Sequence, residues 1–459
     1  MNGSSQLAPA PIGARGQSKG RLGVAFGRRF FLLLFIGLVW IGPAWADSKY
    51  ILAMFLWDGA VMVLWALDLK RLPKPDEIEV RRIWEETLQL RKNTRAKLEF
   101  VNRGTSDALV RVQEEVPVAL RKEIPELDLR VAAGASQVAA YDVCPRERGD
   151  MNFGTTYLRY QSAWQIAERW AQASLKQRIR IYPNFQEANR DTIYLIRSRQ
   201  IALEKRHKHQ RGQGREFESL REYREADEWR DICWSATARR AKLISKSYQI
   251  ERSQAVWLVL DAGRLLRTRV RGLSKLDYSV GAALALAQVA MYSGDRVGML
   301  GYGRRVTQRL PPGRGPGHVR ALLDGLALLR AEELEADHRR AVETLAVLQK
   351  RRSLVVWLTD LAETATTPEV VESAIHLAKQ HLVLFTVISQ PELRSVARER
   401  PETAEEMFRQ TAAAEIVQRR DLLLRTLRQQ GALTLEVEPA RLSTAVVNQY
   451  LIAKDRSLI

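Results

Sequence analysis

The chain has 459 residues, enough for two or three domains each with its own core, and its 46% apolar content excludes a disordered chain. Its 72 Lys and Arg against 53 Asp and Glu leave a net charge of +19, which suits nucleic acid or the anionic inner leaflet of a membrane and does not choose between them. Two cysteines far apart, Cys144 and Cys233, suggest neither a disulfide framework nor a zinc spacing.

Residues 1–29 carry five Arg or Lys and no acid, among many Gly, Ser, Ala and Pro, which predicts a flexible basic tail. Phe30 to Ala46 and Tyr50 to Leu67 are then almost wholly apolar, 17 and 18 residues long, close to the minimum that spans a hydrocarbon core of about 30 Å. Only Asp47, Ser48 and Lys49 part them, so residues 30–67 are expected to form a two-helix transmembrane hairpin. Arg21, Arg28 and Arg29 precede it and Lys70, Arg71 and Lys74 follow it. By the positive-inside rule both ends face the cytoplasm, which puts the bulk of the chain there. Trp40, Trp45, Trp57 and Trp65 suit interfacial or packing positions. Ala44, Trp45 and Ala46 also have the form of a signal cleavage site, although a second apolar segment follows at once. Asp58 lies in mid-segment, where a carboxylate costs about 2.5–3.5 kcal/mol on insertion scales.

From 78 to 183, short runs of period-two alternation between turns predict an antiparallel, sandwich-like β domain. They are Ala96 to Val101, Ala108 to Gln113, Leu127 to Val131 and Ile179 to Tyr182. Ala163 to Gln177 breaks the pattern and is predicted as a helix or a longer loop. Residues 184–250 then form a linker and a segment of interleaved charges and aromatics, Gly212 to Arg240. Within it Arg221, Arg230 and Arg239 can stack on Phe217, Tyr223, Trp229 and Trp234, or bind carboxylates. The segment is either a structural clasp or a docking surface for a partner. Gly212 and Gly214 lack the strand and helix context of a phosphate loop, and His207 and His209 flank a lysine in a basic run.

This segment resembles the signature of the bacterial domain-of-unknown-function 58 family. Gly214, Glu216, Phe217, Leu220, Arg221, Tyr223, Asp227, Arg230, Ile232, Trp234, Ala238 and Arg239 match it, and Ala226 departs from it where the family has glycine. The resemblance extends to the apolar pair, to Arg148 and Gly149, and to the ending Asn448 to Lys454.

The remainder, 254–459, alternates strands and helices as a doubly wound α/β domain does. Val256 to Leu260 and Leu354 to Thr359 are runs suited to strands buried on both faces, and each stops on an aspartate, Asp261 and Asp360. In open α/β sheets ligands collect at the carboxyl ends of strands. This outline resembles a von Willebrand factor A domain, whose metal-ion-dependent adhesion site begins Asp-x-Ser-x-Ser. Here Gly263 and Leu265 replace the serines, and Arg330 to Arg340 holds no threonine. Asp360, after Thr359, matches the last motif position. Two carboxylates without hydroxyl partners make a poor magnesium cage, so Asp261 and Asp360 are expected to mark a degenerate, vacant site, with bound Mg2+ as the alternative. Ser274 and Asp277 predict a capping box opening a buried helix at Tyr278 to Tyr292. Further helices are expected near His318 to Leu329, Arg339 to Gln349, Pro368 to Gln380 and Thr403 to Gln430, with strands at Arg296 to Leu300, His381 to Val387 and Leu433 to Val437.

No Ser-His-Asp set, cysteine nucleophile or zinc motif is present, so the leading expectation is a membrane-anchored, non-enzymatic interaction protein without a cofactor. The family resemblance implies a MoxR-type AAA+ ATPase as partner, in assembly or remodelling of other complexes. The alternatives are a metal-dependent hydrolase using Asp261 and Asp360, and a basic nucleic-acid-binding protein.

Overall fold

The computed structural model describes residues 14–121, 123–184, 216–223, 229, 232–249, 254–360, 369–456 and 458. The chain divides into two compact units, Met1–Asn184 and Phe185–Ile459.

The first unit opens with a strand, β1 (Ala14–Phe26), where a flexible tail is expected. Three short helical pieces follow: α1 (Arg28–Gly37), a 3-10 turn at Leu38–Trp40, and α2 (Ile41–Ala44). Then comes the long α3 (Lys49–Arg71). The first apolar segment is thus not one continuous helix; Gly37 and the Gly42-Pro43 pair account for the breaks, since both residue types interrupt helical hydrogen bonding. Among the described residues, one helix, starting at Lys49, is long and apolar enough to cross a membrane. α1 lies along it, the Trp57 indole donating to Leu33 O at 2.9 Å.

Nine strands complete the unit: β2 (Ile78–Trp84), β3 (Thr94–Asn102), β4 (Ala108–Glu114), β5 (Glu126–Val131), β6 (Ser136–Val143), β7 (Gly149–Phe153), β8 (Thr156–Gln161), β9 (Ala167–Ala173) and β10 (Gln177–Ile181). Eight of them, counting β1, form a sheet of order β5-β4-β8-β9-β1-β2-β3-β6, while β7 and β10 pair separately. Alternation along β3 and β4 carries Ala96, Leu98, Phe100, Val110 and Val112 into one core. β1 changes partner midway: residues 14–17 pair with β2 and residues 18–26 with β9, the β9 pairing carrying register shifts at Ser18/Gly20 and Arg21/Gly23. β9 occupies the stretch expected as helix or loop. Its inward residues are small, Ala167, Ala171 and Ala173, so composition hides the period-two pattern. Arg82, fully buried, bonds Glu114 Oε1 from Nε at 2.6 Å and Leu175 O at 2.8 Å, tying β2 to β4.

The two ends of the helical segment meet at one loop. Gly27 N donates to Ile166 O at 2.7 Å. Near the end of α3 the buried Asp68 carboxylate accepts from Ser162 Oγ at 2.5 Å, Ile166 N at 3.2 Å and Ala167 N at 2.8 Å. Arg71 lies over the Trp164 ring at 4.4 Å. Because β1 and β2 are also neighbours in the sheet, the helices leave and rejoin the β structure on the same side.

In the second unit β11 (Glu216–Glu222) and β12 (Ile244–Gln249) make a hairpin carrying α4 (Trp234–Arg240). The α/β part runs β13 (Ala255–Asp261), the two-residue strands β14 (Arg269–Val270) and β15 (Leu273–Ser274), α5 (Lys275–Tyr292), β16 (Arg296–Tyr302), β17 (Val306–Gly313), α6 (Pro316–Leu328), α7 (His338–Leu348), β18 (Leu354–Thr359), α8 (Glu369–Ala378), β19 (Leu382–Ile388), α9 (Pro391–Arg398), α10 (Ala404–Gln429), β20 (Leu433–Val437) and α11 (Leu442–Asp455). The six-stranded order is β17-β16-β13-β18-β19-β20, parallel except for β17. β17 and α9 are absent from the sequence-based expectation. β17 contains Pro311 and Pro312, which a sheet tolerates at an edge, where β17 stands.

Helices cover both faces. α7, α8 and α10 supply Val342, Leu345, Ala374 and Leu424 to a core with Trp257, Trp357 and Phe385. α5 packs against β13 and β16, and α11 against α5. α5 begins with the expected capping box, Ser274 with Asp277. α11 is latched to the start of β16: Tyr450 OH and Lys454 Nζ donate to Asp295 Oδ2 at 2.6 and 2.8 Å.

Asp68→Ala strands a buried hydroxyl and two buried amides, and should cost the first unit about 3 kcal/mol. Urea unfolding of the detergent-solubilised full chain, followed by tryptophan fluorescence, measures it.

Candidate functional site

β13 and β18 are adjacent at the centre of the sheet, and the chain leaves β13 towards β16 on one side before returning to β18 on the other. The crevice at the carboxyl ends of these two strands is therefore the topological switch point, where open α/β sheets bind ligands. Both predicted carboxylates lie there and both are buried, Asp261 at 3% and Asp360 at 1% exposure.

Their surroundings differ. Asp261 accepts from Gly263 N at 2.7 Å through Oδ1 and from Thr359 Oγ1 at 2.6 Å through Oδ2. Both of these donors are neutral. Burial pushes its carboxyl above the usual carboxylate range; the charge of His338 and the bonds from Thr359 and Gly263 oppose the shift, and Asp360 adds to it. Asp360 instead meets two cations. Arg420, from α10, donates to Oδ1 at 2.6 Å, and Lys275, the first residue of α5, binds Oδ2. Lys275 is 1% exposed and Arg420 3%. A buried ammonium and a buried guanidinium thus share one carboxylate, and Arg420 continues to Glu436 Oε1 of β20 at 3.8 Å.

The loop before α7 closes over the other side. Glu332 N donates to Ala262 O at 2.7 Å and Arg264 N to Leu334 O at 2.9 Å. A Cβ on Gly263 would stand 2.9 Å from Ala336 Cβ and 3.1 Å from Asp261 Oδ1, so no serine fits at this position without moving the loop. Where a threonine is expected from this loop, the buried His338 follows it. His338 Nδ1 lies 2.9 Å from Tyr302 OH, which accepts from Trp357 Nε1 at 2.6 Å. Burial and the charge of Asp261 hold the Tyr302 phenol far above its ordinary value. Leu265, in the other serine position, is half-buried.

The signature residues that the structure describes lie outside this crevice's sheet, on the separate β11–β12 hairpin and its helix α4. Arg221 pairs through its backbone with Ser245. Tyr223 N donates to Leu243 O at 2.9 Å, and its ring lies 6.2 Å from that of Trp229. Trp234, at the start of α4, is 64% exposed, and Arg239 in its last turn is exposed. Asp227 and Arg230 lie outside the described residues, as do His207, His209, Gly212 and Gly214. Lys275, Arg420 and His338 were not singled out by sequence reasoning. A weak signal existed for Lys275, a lysine one residue into a helix whose face is otherwise apolar; Arg420 sits among many charged residues of α10 and carried none.

Fold and crevice define a multidomain α/β protein with an apolar N-terminal helix and a charge-neutralised strand-end site. Residues 219–420 match the model of the family described as Protein of unknown function DUF58. Uncharacterized proteins of Mycobacterium tuberculosis and Mycobacterium bovis are 26% identical to it over 151 residues, 32% of this chain and 48% of theirs. The chain thus spans about half the length of the curated relatives it matches. Among solved structures, the conserved hypothetical protein BatB from Bacteroides thetaiotaomicron aligns over 44% of this chain and 100% of its own, at 15% identity and a TM-score of 0.31. The PapD-like domain 7 of human CEP192 aligns over 24% of this chain and 84% of its own, at 14% identity and a TM-score of 0.16.

The two aspartates should respond differently to amidation. Asp360→Asn leaves two buried cations without their counter-charge and should destabilise the second unit by about 3–5 kcal/mol. Asp261→Asn retains an acceptor for Gly263 N and removes a carboxylate that is costly to ionise. A folded-state pKa raised above the ordinary carboxylate value gives stability that is present below that ordinary value and lost as pH rises through the folded one. Relative to wild type, Asp261→Asn should therefore gain stability from pH 4 to pH 7, as read by thermal melts across a pH series.

Proposed function

We propose that this is a membrane-anchored, non-enzymatic interaction protein, whose von Willebrand factor A-like domain meets a protein partner at the cytoplasmic face of the inner membrane. The observation that carries the reading is the pairing of Asp360 with Lys275 and Arg420. The positive charge a divalent ion would bring is already supplied from within the chain, and Gly263 leaves no room for a serine hydroxyl. The residues at this edge therefore do not fit a magnesium ion, and a hydrolase built on Asp261 and Asp360 would first have to expel both cations. What remains for the edge is recognition of another protein.

Anchoring is supported by α3 and its exposed apolar side chains, among them Leu52, Phe55, Leu56 and Val63. α1 and α2 would complete a hairpin that returns to the side it left, a reading supported by the shared loop at Ser162 to Ala167. Arg28, Arg29, Lys70 and Arg71 at its base favour the cytoplasmic side. Retention of the apolar segment is supported by β1, because cleavage after Ala46 would sever the strand between β9 and β2. The family assignment supports, as partner, a MoxR-type AAA+ ATPase engaged in remodelling other complexes, with the +19 charge suited to an acidic surface.

A pull-down of the detergent-solubilised full chain tests the partner: an AAA+ ATPase should co-purify, and its absence from wild-type cells would sink the assignment. In calorimetry, magnesium should show no site tighter than about millimolar. Tags at the two ends of the chain should stay on one polypeptide.

A further inference from the structure

α9 and α10 pack side by side, and between them runs an open cleft of about 450 Å³. Its lining includes Arg394 and Arg398 of α9 and Arg425 of α10, over an apolar strip of Ala397, Val417 and Leu422. On α10 the lining positions recur at intervals of three and four, from Ala414 to Arg425, so they form one helix face. Leu422 is 64% exposed, a large apolar side chain with nothing over it. The three arginines are not equivalent. Arg394 is held by Glu436 at 2.6 Å and stands 3.7 Å from Asp421, which accounts for the cleft's acid. Arg398 and Arg425 are exposed and form no ion pair among the described residues. Two unspent guanidinium groups beside an apolar strip ask for a ligand that is acidic on one side and apolar on the other.

We infer that the α9–α10 cleft is a docking site for an acidic amphipathic segment of a protein partner. Carboxylates of that segment accept from the Arg398 and Arg425 guanidinium groups, and its apolar side covers Ala397, Val417 and Leu422, the groove mode of helix recognition. The cleft also touches the strand-end site. Arg394 on its wall binds Glu436; Glu436 neighbours Arg420; and Arg420 and Lys275 share Asp360. A partner carboxylate drawn to Arg394 competes with Glu436, and so acts on the ion network that closes the crevice. The inference rests on the proposed role as an interaction protein and names the surface it uses.

The test uses the full chain in neutral detergent and a fluorescent, glutamate-rich amphipathic peptide, read by anisotropy at about 0.15 M salt, where only close charge pairs escape screening. Wild type should bind the peptide, and the double variant Arg398→Glu/Arg425→Glu, with an unchanged melting temperature, should lose on the order of tenfold or more in affinity. A lysine-rich peptide of the same apolar pattern should bind the double variant more tightly than it binds wild type. Equal peptide binding by both proteins would overturn the proposal, as would no binding by wild type. Capture of phosphatidylglycerol micelles through the same two arginines, without peptide binding, would assign the cleft to lipid and overturn it as well. In the pull-down, an ATPase recovered equally by wild type and double variant rejects the cleft and keeps the proposed ATPase partner; an ATPase recovered by neither, with the peptide still bound, does the reverse.

Discussion

A carboxylate buried at the end of a central strand is too costly to keep ionised without a counter-charge, and the second unit meets this constraint at Asp360 with two cations from distant helices. Lys275 enters from the first turn of α5, Arg420 from the middle of α10, and Glu436 of β20 stands beyond Arg420. The network joins elements from the two faces of the sheet to one strand end. Each charge is acceptable only while the others are present, since a lone buried ion is penalised far more than a paired one. Placement of α5 and α10, and hence of the α9–α10 cleft, is bound up with a site that looks from its motif positions like a place for a metal.

The same logic operates with weaker charges in the first unit. Asp68 is satisfied by one hydroxyl and two backbone amides, and these come from the loop that also receives Gly27. The helical segment thus runs between β1 and β2 and is gripped at its base. β1 belongs to both halves of the eight-stranded sheet through its change of partner. Arg82 and Glu114 add a buried ion pair between β2 and β4.

Much of the α/β part was legible because local pattern and tertiary role agree. The runs ending at Asp261 and Asp360 are continuous apolar stretches because parallel strands covered on both faces need them. Ser274 and Asp277 announce a helix start through a bond pattern four residues long. The misses share a cause. β1 is a basic, glycine-rich strand whose pairing comes from β9 and β2, far along the chain. β9 faces the core with alanines, which carry little strand signal, and β17 contains prolines that only an edge position permits.

What the chain determines by itself is the local chemistry: an apolar segment long enough to enter a membrane, aspartates at strand ends, and the loss of the serines at Gly263 and Leu265. Only the tertiary structure decided what replaces them. Lys275 and Asp360 are 85 residues apart, and Arg420 and Asp360 60. No periodicity of 2 or 3.6 residues relates such positions. Their pairing follows from the order in which strands lie side by side, and from the need of a buried charge to find its opposite.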